Sequence, residues 1–236
     1  MGIQKYFLTL LFIATSSVLV HADTPQLVDV PIDRGYIPVG FDDNDRSELT
    51  ITGVFSNTCY KVGSYQARVD ESLSTITIQQ SAYYYSGVCL QIKVPYSQRI
   101  DLGILKEGSY TVKDQLSGKV LGNIAIARAK SETPDDYLYA PVTDAFVQDA
   151  GDGKHILNLR GNFTDRCTKL KEVRVNYFSD VIVVQPIATH EEQRGGCGHE
   201  KVRFQQAIDL KDGLTGSYMI HVRVMDGQAL NRFTDF

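Results

Sequence analysis

Four cysteines stand in two pairs of equal spacing: Cys59 and Cys89 lie 30 residues apart, and so do Cys167 and Cys197. Thiols so placed can close disulfides or bind a metal. A zinc site would draw on His199, two residues after Cys197, and on His190 before it. Against zinc, the half of the chain around the first pair has no matching histidine, and neither pair has the short Cys-x-x-Cys spacing of tetrahedral sites. The four cysteines allow three connectivities. A loop of this size closed by a disulfide contributes roughly 3–4 kcal/mol, mainly by restricting the unfolded chain.

Three further clusters carry chemistry. Tyr83, Tyr84 and Tyr85 precede Cys89, and a strand there turns Tyr83 and Tyr85 to one face and Tyr84 to the other. Such a run is either a recognition surface, since tyrosine buries much area at little entropic cost, or a strand end with one ring in the core. His190, Glu191 and Arg194 precede Cys197, with Glu192, His199 and Glu200 nearby. They read as a polar recognition loop, or as an acid–base cluster if a base comes within hydrogen-bond reach of a reacting group. Asp42, Asp43 and Asp45 around Asn44 offer oxygen ligands to calcium, although the glycine and the bidentate glutamate of an EF-hand loop are missing. A solvated acidic turn is the other reading. The chain has no Gly-x-Ser-x-Gly elbow, no His-Glu-x-x-His helix and no phosphate loop. The expectation is a protein that is not an enzyme and needs no cofactor.

The elements that must position these residues are given by a repeat. Leu49-Thr-Ile51-Thr-Gly53-Val-Phe55-Ser-Asn-Thr-Cys59 returns 108 residues later as Leu157-Asn-Leu159-Arg-Gly161-Asn-Phe163-Thr-Asp-Arg-Cys167. Cys89, Ile100-Asp101-Leu102 and Gly108-Ser109-Tyr110 return at the same offset as Cys197, Ile208-Asp209-Leu210 and Gly216-Ser217-Tyr218. The chain is a tandem duplication. One ancestral unit could bridge only within itself, so the pairs are Cys59–Cys89 and Cys167–Cys197. Apolar residues alternate at Leu49, Ile51 and Phe55, at Ile76 and Ile78, and at Leu90, Ile92 and Val94, and turn residues separate these runs. Val173 and Val175, Val202 and Phe204, and Ile220, Val222 and Val224 do the same in the second unit. No long stretch keeps a helical period. Short strands at this spacing predict an all-β chain of two tandem antiparallel β-sandwich domains, each with one internal disulfide. The first spans residues 23–130 with an edge segment at its start, the second 137–236, and the polar, proline-containing residues 131–136 link them.

Gly108-Ser109-Tyr110 running into Thr111-Val112, and Gly216-Ser217-Tyr218 running into Met219-Ile220, resemble the penultimate strands of Ig-like domains of secreted bacterial proteins. In that family a glycine turn feeds a strand opened by a tyrosine. The resemblance covers both repeats, implies Ig-like sandwiches, and brings no functional residue with it.

Residues 1–22 read as a cleavable secretory signal: Lys5, an apolar stretch from Tyr6 to Val20, and Val20-His21-Ala22 before Asp23. Beyond it no stretch is apolar enough to span a bilayer. Without the leader 23 basic side chains face 28 acidic ones, and the basic ones are scattered, which excludes a nucleic-acid footprint. The expectation is an exported, non-enzymatic binding or assembly protein of the periplasm or cell surface. Its partner would be another envelope or extracellular protein, recognised through loops and strand edges on a rigid frame, and exposed edges leave room for self-association. The candidate residues are Tyr83, Tyr84, Tyr85, His190, Glu191 and Arg194. The alternatives are a small-ligand or carbohydrate-binding protein with calcium at the acidic turn, and a hydrolase built on the second-unit histidines.

Overall fold

The computed structural model describes residues 24–133, 135–192 and 194–236, so the signal expected over 1–22 lies outside the described residues. Those residues form strands without a helix. In the first unit these are β1 (Gln26–Val30), β2 (Arg34–Tyr36), β3 (Phe41–Asp42), β4 (Arg46–Phe55), β5 (Tyr60–Asp70), β6 (Thr75–Tyr84), β7 (Val94–Ile104), β8 (Gly108–Asp114) and β9 (Val120–Ala127). The second holds β10 (Val142–Gly151), β11 (Lys154–Phe163), β12 (Thr168–Phe178), β13 (Val181–His190), β14 (Val202–Asp209), β15 (Ser217–Val224) and β16 (Gln228–Asp235).

Each unit is a sandwich. In the second, β10-β11-β14 packs on β12-β13-β15-β16; in the first, β2-β4-β7 packs on the sheet built around β5, β6, β8 and β9. Pairing is antiparallel except where β6 meets β8, β13 meets β15, and the two-residue β3 meets β9. Alternation sets the cores: Leu49, Ile51, Ile76, Ile78, Ile100 and Val112 are buried together in one, and Leu157, Leu159, Ile182, Val184, Ile220 and Val222 in the other. Cys59–Cys89 and Cys167–Cys197 are both disulfides. Tyr110 opens β8 buried, its hydroxyl donating to the Lys106 carbonyl at 3.1 Å.

The glycine shared by the two repeats has a packing cause. Gly53 on β4 lies under the ring of Tyr96 on β7, and Gly161 on β11 lies under Phe204 on β14, residues again 108 apart. A Cβ at either glycine would stand 2.6 Å from ring carbons. Gly161 has the added obstacle of the Pro141 carbonyl. Gly161→Ala is therefore expected to cost about 1–3 kcal/mol of stability, as overpacked cores do, measured by denaturant titration.

The two sandwiches meet face to face. On β15 Ile220 and Val222 point into the second core, which turns Met219, His221 and Arg223 the other way. There Met219, Val181 and Val183 pack with Tyr36 and Val39 of the first unit, and Phe233 meets the Tyr36 ring edge-on at 5.0 Å. Strand β13 is thus buried on both faces over Val181–Val184, as a continuous apolar run implies. The linker is tied to both sides. Asn44 Nδ2 donates to the carbonyls of Ser131 (2.9 Å) and Thr133 (3.3 Å), while the Asp135 carboxylate accepts from the backbone N–H groups of Asp226 (2.9 Å) and Gly227 (3.2 Å).

Candidate functional site

The disulfide-tied end of the first sandwich gathers the tyrosines. Strand β6 ends at Tyr84, between β1 and β5, so Tyr83 stands opposite Leu27 on one side and Lys61 on the other. Tyr83 and Tyr85 are each 40% exposed. Tyr84 turns inward, its ring 5.0 Å from that of Tyr60, which in turn stacks on Phe55 at 5.6 Å. The alternation expected from the sequence therefore holds, with one ring covering the small core and two facing out.

The chain beyond them departs from expectation. Leu90, Ile92 and Val94 alternate as a strand does, yet the ladder of β7 begins only at Val94. Residues 86–93 instead form a loop pinned by the Cys59–Cys89 bridge and by two hydrogen bonds between Thr58 and Leu90. The Thr58 N–H donates to the Leu90 carbonyl at 3.2 Å, and the Leu90 N–H to the Thr58 hydroxyl at 3.0 Å. The loop presents its apolar side chains to solvent: Val88 is fully exposed, Leu90 66% and Ile92 56%. Sequence reasoning missed this surface, although the repeat carried the signal. At the same offset the second unit has Gly196, Gly198 and Glu200.

The corresponding end of the second sandwich is polar. His190 closes β13; its Nδ1 lies 2.8 Å from the Thr168 hydroxyl, which donates to Asp165 Oδ1 at 2.9 Å, and its Nε2 lies 4.0 Å from Cys197 Sγ. Asp165 also caps the start of β12, accepting from the N–H groups of Cys167 and Thr168, both at 2.8 Å. Asn57 does the same for Cys59 in the first unit. Glu191 donates its backbone N–H to the Cys167 carbonyl, and its side chain and that of Arg194 are exposed on the turn. Glu200 pairs with Arg166 at 2.8 Å. The structure thus brings His190 to Thr168 and Asp165, leaves Glu191 and Arg194 beside them, and separates all of these from His155, which packs on Phe236, and from His221.

The acidic turn is not the solvated loop that its composition suggests. Asp42 and Asp45 are buried. Asp45 Oδ2 accepts from the Asp42 N–H at 3.2 Å and faces Arg223 of the second unit at 3.5 Å; Asp43 Oδ1 accepts from the Ala129 N–H at 2.7 Å. Of these carboxylates Asp45 serves the joint between the sandwiches, while Asp43 is tied to the first unit's own backbone.

That joint holds several strongly perturbed groups. Arg223 also donates to the Gly40 carbonyl and lies over the Phe41 ring. Beside it, Asn231 Nδ2 donates to Glu48 Oε1 at 2.8 Å, Glu48 pairs with Arg99, and His221 Nδ1 lies 2.8 Å from Asn231 Oδ1. An amide oxygen only accepts, so His221 carries its proton on Nδ1. Burial pushes the His221 imidazole down to about 3, against the pull of the Asn231 hydrogen bond. It pushes the Asp45 carboxyl up to about 6 against Arg223, and raises Glu48 against Asn231 and Arg99. Perturbed groups mark functional sites when they line a cleft. Here Asp45, Glu48 and His221 line a small cavity between the two units, and each is bonded to a fixed neighbour, which is the pattern of a structural lock.

Among known proteins, no curated protein and no solved structure matches the chain. Residues 49–115, from Leu49 on β4 through β8, match a family described as the ORF11 beta-sandwich domain. Over that stretch the first sandwich is similar to this domain.

Proposed function

We propose that this is an exported, non-enzymatic binding protein of the periplasm or cell surface, built from Ig-like sandwiches, whose recognition surface is the disulfide-tied end of the first. Two disulfides fit an oxidising compartment. The observation that carries the reading is the contrast between the two copies. Tyr83, Val88, Leu90 and Ile92 are exposed apolar or aromatic residues, and their counterparts 108 residues on are Glu191, Gly196, Gly198 and Glu200. The frame folds with either set, so the apolar set is not needed for folding. Exposed apolar side chains gathered in one segment of a domain point to an interaction site.

The double variant Tyr83→Ser/Tyr85→Ser tests it, with Tyr84 kept because its ring packs on Tyr60. After cross-linking on the source cells, the variant should recover at least severalfold less of whatever the wild type captures. Its unfolding free energy should stay within about 0.5 kcal/mol of wild type. Equal recovery would overturn the assignment of the surface. A large loss of stability would make the tyrosines part of the core.

A further inference from the structure

Resting on that reading, we infer that the first-unit end docks on an anionic lipid surface, with Val88, Leu90 and Ile92 entering the boundary between headgroups and acyl chains.

Charge separates this end from the rest of the molecule. The chain as a whole is acidic, with 28 Asp and Glu against 24 Lys and Arg. Yet the segments that make up this end, residues 24–28, 56–61 and 83–93, hold Lys61 and Lys93 and no carboxylate. The corresponding segments of the second unit hold Asp165, Glu191, Glu192 and Glu200. Behind the first-unit end the next carboxylate on β1 is Asp29, and it is already bonded to Gln79 Nε2 (2.8 Å) and the Ser81 hydroxyl (3.0 Å).

The layering also fits a bilayer surface. Three exposed aliphatic side chains lie along the loop, two part-exposed tyrosines precede it, and a lysine stands near Tyr85 and another after Ile92. Lys61 Nζ lies 5.8 Å from the centre of the Tyr85 ring, and Lys93 follows Ile92 directly. Aliphatic groups favour the acyl region, tyrosines the interface, and lysines the negative headgroups. Entering lipid is costly for a loop with unpaired backbone groups. At Leu90, in the middle of this loop, both backbone groups are bonded to Thr58, so its side chain can leave water without stranding them. The bridge to Cys59 holds the loop in one shape, so little ordering is left to be done on docking.

The test is co-sedimentation of the disulfide-bonded chain from Asp23 onward with vesicles. One set is neutral phosphatidylcholine; the other is phosphatidylcholine mixed with phosphatidylglycerol. Wild type should sediment with the anionic vesicles, and the affinity should fall at least roughly tenfold in Val88→Ser/Leu90→Ser/Ile92→Ser. Lys61→Gln and Lys93→Gln should each weaken binding roughly fivefold, with salt doing the same. All five replaced side chains are exposed, so circular dichroism and melting should match wild type. Wild type that ignores both vesicle sets overturns the lipid inference. If the triple serine variant then also loses the cross-linked partner on cells, the partner is a protein and the binding role stands. If it loses neither, both readings fall. A wild-type dimer by light scattering that the serine variant abolishes assigns the end to a second copy instead.

Discussion

Arg223→Ala is expected to destabilise the protein by about 3 kcal/mol near pH 8, and by clearly less near pH 5. The guanidinium is buried between the sandwiches, facing Asp45, the Gly40 carbonyl and the Phe41 ring. Removing it leaves a carboxylate that burial has already pushed up to about 6 even with the arginine present. Without its partner that carboxyl rises further. Near pH 8 the folded chain must then hold an unpaired buried charge; near pH 5 it holds a neutral acid at lower cost. Denaturant titrations at the two pH values measure the difference. Equal losses at both would mean that only packing was removed.

The second large effect is a balance between groups of opposite sign. His221 has an unfolded value of 6.5 and a folded value of about 3. Between those limits the unfolded chain takes up a proton that the folded chain refuses, so acidification removes stability, by about 1.4 kcal/mol per pH unit. Asp45 has an unfolded value of 3.8 and a folded value of about 6. Between those limits the folded chain takes up the proton first, so acidification adds stability, and Glu48, also raised, acts in the same direction. From about pH 6 to 4.5 the terms oppose, and wild-type stability should be nearly flat. Asp45→Asn removes the gain and should expose a loss of about 2 kcal/mol over that range, whereas His221→Gln removes the loss and should become more stable on acidification. Parallel pH profiles for the three proteins would refute this account.

The sequence made the frame readable because duplication writes each constraint twice. Gly53 and Gly161, Phe55 and Phe163, and the four cysteines all recur at one spacing, and each recurrence marks a contact inside a unit. A contact between units has no second copy. Met219, His221 and Arg223 alternate with Ile220 and Val222, so a pattern-based reading sends them to water. The unbroken run Val181–Val184 was the one local sign that a sheet face there is covered. Leu90 and Ile92 failed for the opposite reason. Their alternation is that of a strand, but nothing across the loop pairs with them, and only Thr58 and the disulfide decide their path.

The joint has a consequence for assembly. Two copies of one fold are joined head to tail, β2 and β4 of the first against β15 and β16 of the second. Such a contact leaves one unused version of each face, which in an unchanged duplicate would template a third unit and so on into an open filament. The unused versions no longer fit. Where β4 presents Glu48, β11 has Ile156, and where β15 presents His221, β8 has Lys113. The pair that closes inside the molecule has no matching residues on the two unused faces.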